Sequence, residues 1–181
     1  GQEAPPTQGT RFCVLCDENN LYLGVECMEA AMDQLKEVRG GGIFRGDSIE
    51  LFLDLNRDRK TYYHLTTNTL GICEGKRDGR EFIWHASASK AEDRWSSEIV
   101  VPFSSFAITP EVGATWNFNL CRQRYAGARE LSTWAPLGPQ GGFHQPELFG
   151  ELRSLNVDFS RFRLELGEPE VHAAIEGQAL N

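Results

Sequence analysis

The chain has 181 residues, 40% of them hydrophobic, which suffices for one sizeable core in a single domain. Its 26 acidic residues against 18 Lys and Arg give a formal net charge of -8, the wrong sign for a phosphate-tracking surface, so nucleic acid is excluded as an expected partner. No apolar run approaches the roughly 20 residues that cross a bilayer, and the opening GQEAPPTQGT lacks the charged start and apolar stretch of a signal peptide. A soluble chain, already processed or excised, is expected.

From Arg11 onward, short runs rich in β-branched and aromatic residues alternate with Gly, Asn and Asp clusters, the pattern of antiparallel sheets. Arg11 to Cys16 and Leu21 to Glu26 read as a hairpin joined by the polar turn Asp17-Glu18-Asn19-Asn20. Met28 to Val38 carries Ala30, Ala31, Met32 and Leu35, which favour a short helix or loop insertion near 28–40 before Gly40-Gly41-Gly42 ends it. Ser48 to Leu55 alternates, with Ile49, Leu51, Leu53 and Leu55 on one face and Ser48, Glu50, Phe52 and Asp54 on the other. Thr61 to Asn68, Gly71 to Glu74, Phe82 to Ala88, Trp95 to Val101 and Thr115 to Arg122 follow as strands, and Phe149 to Leu155 closes the set. The expected fold is an all-β antiparallel sandwich of two sheets over residues 1–155. Residues 156–181, with apolar runs at Phe159 to Leu166 and Val171 to Leu180, form an extra strand or the start of a following module.

Five cysteines, Cys13, Cys16, Cys27, Cys73 and Cys121, are an odd and scattered set. Cys13 and Cys16 have CxxC spacing, but the strand-like Phe12, Val14 and Leu15 around them favour small buried hydrophobes over a redox or metal pair.

The segments LYLGVEC, FRGDSIELFLD, YYHL, RWSSEIVVPFSSF, TWNFNLCRQR, STWAPL and FHQPELFGEL, in this order, resemble the pattern of the family 9 carbohydrate-binding modules over roughly residues 10 to 155. That resemblance implies a β-sandwich, in agreement with the reading above. It also implies non-catalytic binding of an oligo- or polysaccharide, in a slot between two aromatic rings, that targets a larger extracytoplasmic bacterial protein to its substrate. Such modules are commonly attached to glycoside hydrolases, and the other domains of the parent protein are further implied partners. The family pattern carries another strand before the one near Thr10, so one sheet edge is expected to be open, swapped or filled from elsewhere.

A pyranose offers apolar C–H faces to aromatic rings and a rim of hydroxyls to directional donors and acceptors. The resemblance places one aromatic wall at Phe44, six residues before Glu50, and the second at Trp134, a loop-like Trp before Pro136. Glu50 resembles the acidic hydrogen-bonding residue, Arg122 or Arg124 the basic one, and Asn119 supplies an amide. A core Phe, a Trp packed at an edge, a solvated carboxylate and a strand-end Arg are the competing readings. Trp84 and His85 extend the slot or, for Trp84, fill the core.

Asp54, Asn56 and Asp58 place oxygens at alternate positions, the spacing that opens many calcium loops, and the resemblance implies structural calcium; a polar hairpin turn explains the same residues. Asp47 is a further oxygen donor. Glycoside hydrolysis needs two carboxylates, for which Glu50, Glu98 and Asp47 are the central candidates, and no GxSxG or HExxH motif is present. Two alternatives to saccharide binding stand: a structural sandwich without ligand, and a haem-binding electron-transfer sandwich using Met28, Met32, His64, His85, His144 or His172.

Overall fold

The computed structural model describes residues 5–76, 82–106, 113, 115–139, 142–155 and 157–158. Among the described residues, ten strands make two antiparallel sheets: β1 (Thr10–Cys16), β2 (Asn20–Met28), β3 (Ser48–Asp54), β4 (Tyr63–Asn68), β5 (Cys73–Lys76), β6 (His85–Lys90), β7 (Arg94–Pro102), β8 (Trp116–Arg124), β9 (Glu130–Thr133) and β10 (Gly150–Leu152). The first sheet runs β1-β2-β7-β6. The second runs β10-β8-β3-β4-β5, with β9 also paired to β8. On the edge of β8 turned away from β3, β10 pairs with Trp116 to Phe118 and β9 with Cys121 to Arg124, so two short strands share one long neighbour end to end.

Period-two alternation builds the core. Leu21, Leu23, Val25 and Cys27 of β2 and Trp95, Ile99 and Val101 of β7 face Ile49, Leu51 and Leu53 of β3, Leu65 of β4 and Trp116, Phe118 and Leu120 of β8, all within one buried cluster. Each such side chain contributes about 1.5–3 kcal/mol on leaving water. Trp84 belongs to this cluster and lies so close over β5 that a Cβ on Gly75 would stand 2.4 Å from its Nε1. Core filling, not slot extension, is its role.

The strands expected from the sequence between residues 10 and 155 are present with shifted ends, and β9, in a stretch where the sequence reading placed no strand, is an addition. The 28–40 insertion is a loop with a single 3-10 turn, Met32–Gln34. Tertiary bonds outcompete its helical preference. The buried Glu29 takes the Ala31 N–H at 3.0 Å, Asp47 Oδ2 takes the Lys36 N–H at 2.8 Å, and the Asp47 N–H donates to Lys36 O at 3.0 Å. All five cysteines are free. Cys13 and Cys16 stand three apart on β1, which sends their thiols to opposite faces: Cys13 is exposed and Cys16 packs on the core. Val157 and Asp158 are described, whereas the expected strands at 159–166 and 171–180 lie outside the described residues.

Candidate functional site

The outer face of the second sheet carries a buried acid. Because Ile49, Leu51 and Leu53 turn into the core, Glu50 and Phe52 of β3 turn outward. Register sets Glu50 between Thr66 of β4 and Cys121 of β8, and puts His64 opposite Phe52 and Gln123 opposite Ser48. Glu50 is 3% exposed. His64 Nε2 lies 2.7 Å from its Oε2, and Gln123 Nε2 donates to its Oε1 at 2.8 Å. Gln123 Oε1 is buried without a hydrogen-bond partner among the described residues.

Aromatic groups continue the site along the sheet. The His64 ring stacks on Phe52 at 4.6 Å and 8°. The segment before β10 brings Phe143 and Phe149 over Phe52, forming a small second core with Cys121, Tyr62 and Leu137. His144, on the exposed side of this lid, meets the His64 ring edge-on at 5.0 Å, and the Tyr62 hydroxyl lies 2.8 Å from its Nδ1. Burial, and then the neighbouring His64, hold His144 below the ordinary imidazole value against an opposing pull from Glu50. Burial, reinforced by the Glu50 charge, pushes the Cys121 thiol well above its usual range.

Of the residues expected to bind sugar, Glu50 and Asn119 lie on this face, together with His64 and His144, which the sequence offered as haem ligands. Asn119 clasps the following loop, donating from Nδ2 to Ala135 O at 3.3 Å and accepting the Ala135 N–H at 2.9 Å. Arg122 and Arg124 do not reach Glu50. They share the inward parity of Trp116, Phe118 and Leu120 and are turned between the sheets, where Glu29 receives Arg122 Nη2 at 3.1 Å and Arg124 Nε and Nη2 at 2.7 and 2.8 Å. Burial alone would raise the Glu29 carboxyl, but the Arg124 hydrogen bonds, the Ala31 N–H and both guanidinium charges hold it below its ordinary value.

Trp134 is not opposite Phe44 across a slot beside Glu50. It closes the side seam of the sandwich, edge-on to Phe12 at 6.0 Å and tilted on Phe118 at 5.6 Å, both inward-facing residues. A Cβ on Gly150 would stand 2.4 Å from its ring. Phe44 lies on the 3-10 turn Ile43–Arg45, 40% exposed under the Arg45 guanidinium at 5.5 Å, while Ile43 takes the buried position. His64, Gln123, Tyr62 and His144 are the members of the site that the sequence reading did not place beside Glu50; His64 and His144 entered it only as candidate haem ligands. The signal for the first two was parity: His64 in YYHL and Gln123 in CRQR occupy outward positions of strands flanking Glu50. His144 and Tyr62 come from loops and carried no such signal.

Asp54 and Asp58 serve a turn. Asp54 accepts Asn117 Nδ2 at 2.8 Å and the Arg59 N–H at 2.9 Å, and Asp58 Oδ1 accepts the N–H groups of Lys60 and Thr61 at 2.8 Å each. Asp54 and Asp58 thus turn oxygens to N–H donors, the bonding of a polar hairpin turn, which competes with a calcium ion for the same atoms. Asp47 is likewise occupied by the N–H groups of Lys36, Tyr125 and Ala126. Glu98 lies on the outer face of the other sheet, lining a groove of about 570 Å³ with Arg11, Glu26, Ser87 and Ser96, so Glu50 and Glu98 cannot flank one glycosidic bond. Met28 and His85 share that other face but stand opposite Arg94 and Val100, about 20 Å apart along β7, too far to ligate one haem iron together. Met32 lies against the core, and His172 lies outside the described residues.

This sandwich, with its β3-β4-β8 face built round a buried acid, has the fold of the family 9 carbohydrate-binding modules. Two of the similar solved structures are a family 9 module from Caldicellulosiruptor kristjanssonii in complex with glucose (TM-score 0.64, 20% identity, covering 86% of this chain and 79% of that one) and in complex with cellotriose (0.65, 21%, 83% and 76%). A third, from Bacteroides uniformis, is named as a candidate carbohydrate-binding protein (0.67, 18%, 83% and 79%). Identity at this level establishes the fold. No family model and no curated protein matches the sequence.

Proposed function

We propose that the chain is a non-catalytic saccharide-binding module whose site is the outer face around Glu50. The observation that carries this reading is the Glu50 carboxylate, oriented from both sides by His64 and Gln123, next to the unpartnered acceptor Gln123 Oε1. Vicinal hydroxyls supply the donors such a pair of acceptors calls for, and an orphaned buried oxygen is a cost that a ligand hydroxyl removes. The His144 and Tyr62 rings provide a wall for the C–H face of a pyranose. The likeness in fold to modules solved with glucose and cellotriose supports the same class of ligand. Phe44 is retained as a rim contact.

In this reading the module belongs to a larger extracytoplasmic protein, a glycoside hydrolase being the expected parent, and it contributes attachment, not bond cleavage. The test is a glycan array followed by calorimetry with gluco-, xylo- and galacto-oligosaccharides, in chelator-treated buffer, on wild type and Glu50→Gln. Saturable binding that weakens at least about tenfold in the variant is expected from the loss of a charge-assisted hydrogen bond. Silence toward every sugar on the array, or equal affinity in the two proteins, would overturn the assignment and leave a structural sandwich as the better account.

A further inference from the structure

We infer that Glu50, His64 and His144 form a binding site for a zinc-class divalent transition metal ion. Each of the three offers one ligand atom, and these atoms all lie within 4.8 Å of one another, the one such group of His, Cys, Asp or Glu side chains among the described residues. Two imidazoles and a carboxylate are the donor set of zinc and its neighbours in the first transition row, whereas calcium and magnesium take oxygen alone. The inference rests on this geometry and not on the saccharide reading, although both use Glu50.

Three features distinguish the cluster from a chance meeting of polar groups. First, the ligands come from elements that fix them independently: Glu50 from the central strand β3, His64 from its hydrogen-bonded neighbour β4, and His144 from the segment packed over both through Phe143 and Phe149. Second, each ligand already has an outer partner that sets its orientation. Gln123 holds the second oxygen of Glu50, the Phe52 ring clamps the plane of His64, and the Tyr62 hydroxyl bonds the His144 ring. Third, the adjustment needed is at most about 1.5 Å, since ligand atoms within 4.8 Å of one another must come to about 3.3 Å around a tetrahedral ion. The 2.7 Å between His64 Nε2 and Glu50 Oε2 is the length of a shared hydrogen bond, and a tetrahedral ion with bonds of about 2.0 Å would need those atoms about 3.3 Å apart. Burial runs from the enclosed Glu50 to the exposed His144, so the ion would sit with its fourth position toward solvent, where water or another oxygen ligand exchanges. Three protein ligands and one open position are what distinguish such a site from a closed structural one.

The test is titration of the chelator-treated 181-residue chain with Zn²⁺ against a chromophoric chelator, and with Co²⁺ by visible spectroscopy. Expected are one equivalent of Zn²⁺, intense d–d absorption with Co²⁺, and a rise in unfolding temperature on adding Zn²⁺. His144→Ala, on an exposed ring, should keep the fold yet weaken Zn²⁺ at least about tenfold and abolish the cobalt bands; Tyr62→Phe, which removes only the outer partner, should weaken Zn²⁺ about tenfold. The double variant Cys13→Ser/Cys16→Ser should bind as wild type does. Absence of stoichiometric uptake, equal affinity in His144→Ala, or loss of binding in the cysteine variant would each overturn the assignment. No sugar is present in any of these titrations, so failure of the metal site and failure of the saccharide reading are distinguishable.

Discussion

Replacing Glu29 with Gln should destabilise the sandwich more than any surface change. Glu29 is 1% exposed and receives three hydrogen bonds from Arg122 and Arg124, and Arg122 is itself 1% exposed with an Nε that already lacks a partner. Removing the shared acid leaves guanidinium charge in a dry seam, a situation that costs about 3–5 kcal/mol, against a total stability of about 5–15 kcal/mol for a domain. With a urea slope of about 2 kcal/mol/M, the unfolding midpoint should fall by about 2 M. Added salt should change that difference little, since buried pairs are poorly screened. The pH dependence has a definite sign. Glu29 sits below its ordinary value when folded, so its contribution is complete above the unfolded value of about 4.5 and is lost as pH falls through the folded value. The acid-side slope should therefore be shallower in Glu29→Gln than in wild type. Arg124→Lys, which keeps the charge but loses the fork, should lower stability and leave saccharide affinity intact. A loss below about 1 kcal/mol in Glu29→Gln, or an Arg124→Lys protein of full stability with no sugar binding, would refute the structural role of the triad.

Trp134→Ala should cost about 2 kcal/mol through its contacts with Phe12 and Phe118 and leave binding at Glu50 unchanged, as thermal unfolding and calorimetry would show. Gly150→Ala drives a methyl into that same ring and should destabilise by about 1–3 kcal/mol, read from the urea midpoint. Asp54→Ala should destabilise by leaving the Asn117 amide and the Arg59 N–H unpaired, about 1–3 kcal/mol, and millimolar calcium should leave the unfolding temperature of wild type unchanged. A calcium-dependent rise lost in Asp54→Ala would reinstate the Asp54, Asn56 and Asp58 set as a metal loop.

The fold was legible in the sequence because strand alternation is a local signal. The parity of Ile49, Leu51 and Leu53 against Glu50 and Phe52 carried directly into the core and the outer face. The same rule, extended two residues along β8, sends Arg122 and Arg124 inward with Leu120 and leaves Asn119 and Gln123 outward; their charge argued for solvent, and the buried partner that reverses this, Glu29, is 93 and 95 residues away in sequence. Trp134 illustrates the same limit. Its loop-like setting was read correctly, but the ring it meets on β1 belongs to the other sheet. Of the helix or loop expected at 28–40, long-range bonds from Asp47 select the loop, and the cluster at His144 depends on a loop folding back over β3, which no local pattern encodes.

The central claim is that a saccharide docks on the outer face around Glu50. Its most direct test is amide and indole chemical-shift mapping of the ¹⁵N-labelled chain titrated with cellotriose. The account predicts saturating shifts at Thr66, Gln123 and the His64 and His144 amides, with the Trp134 indole unmoved. Shifts confined to Trp134, Phe12 and Thr133, or to the Ser87, Ser96 and Glu98 groove of the opposite sheet, would contradict it.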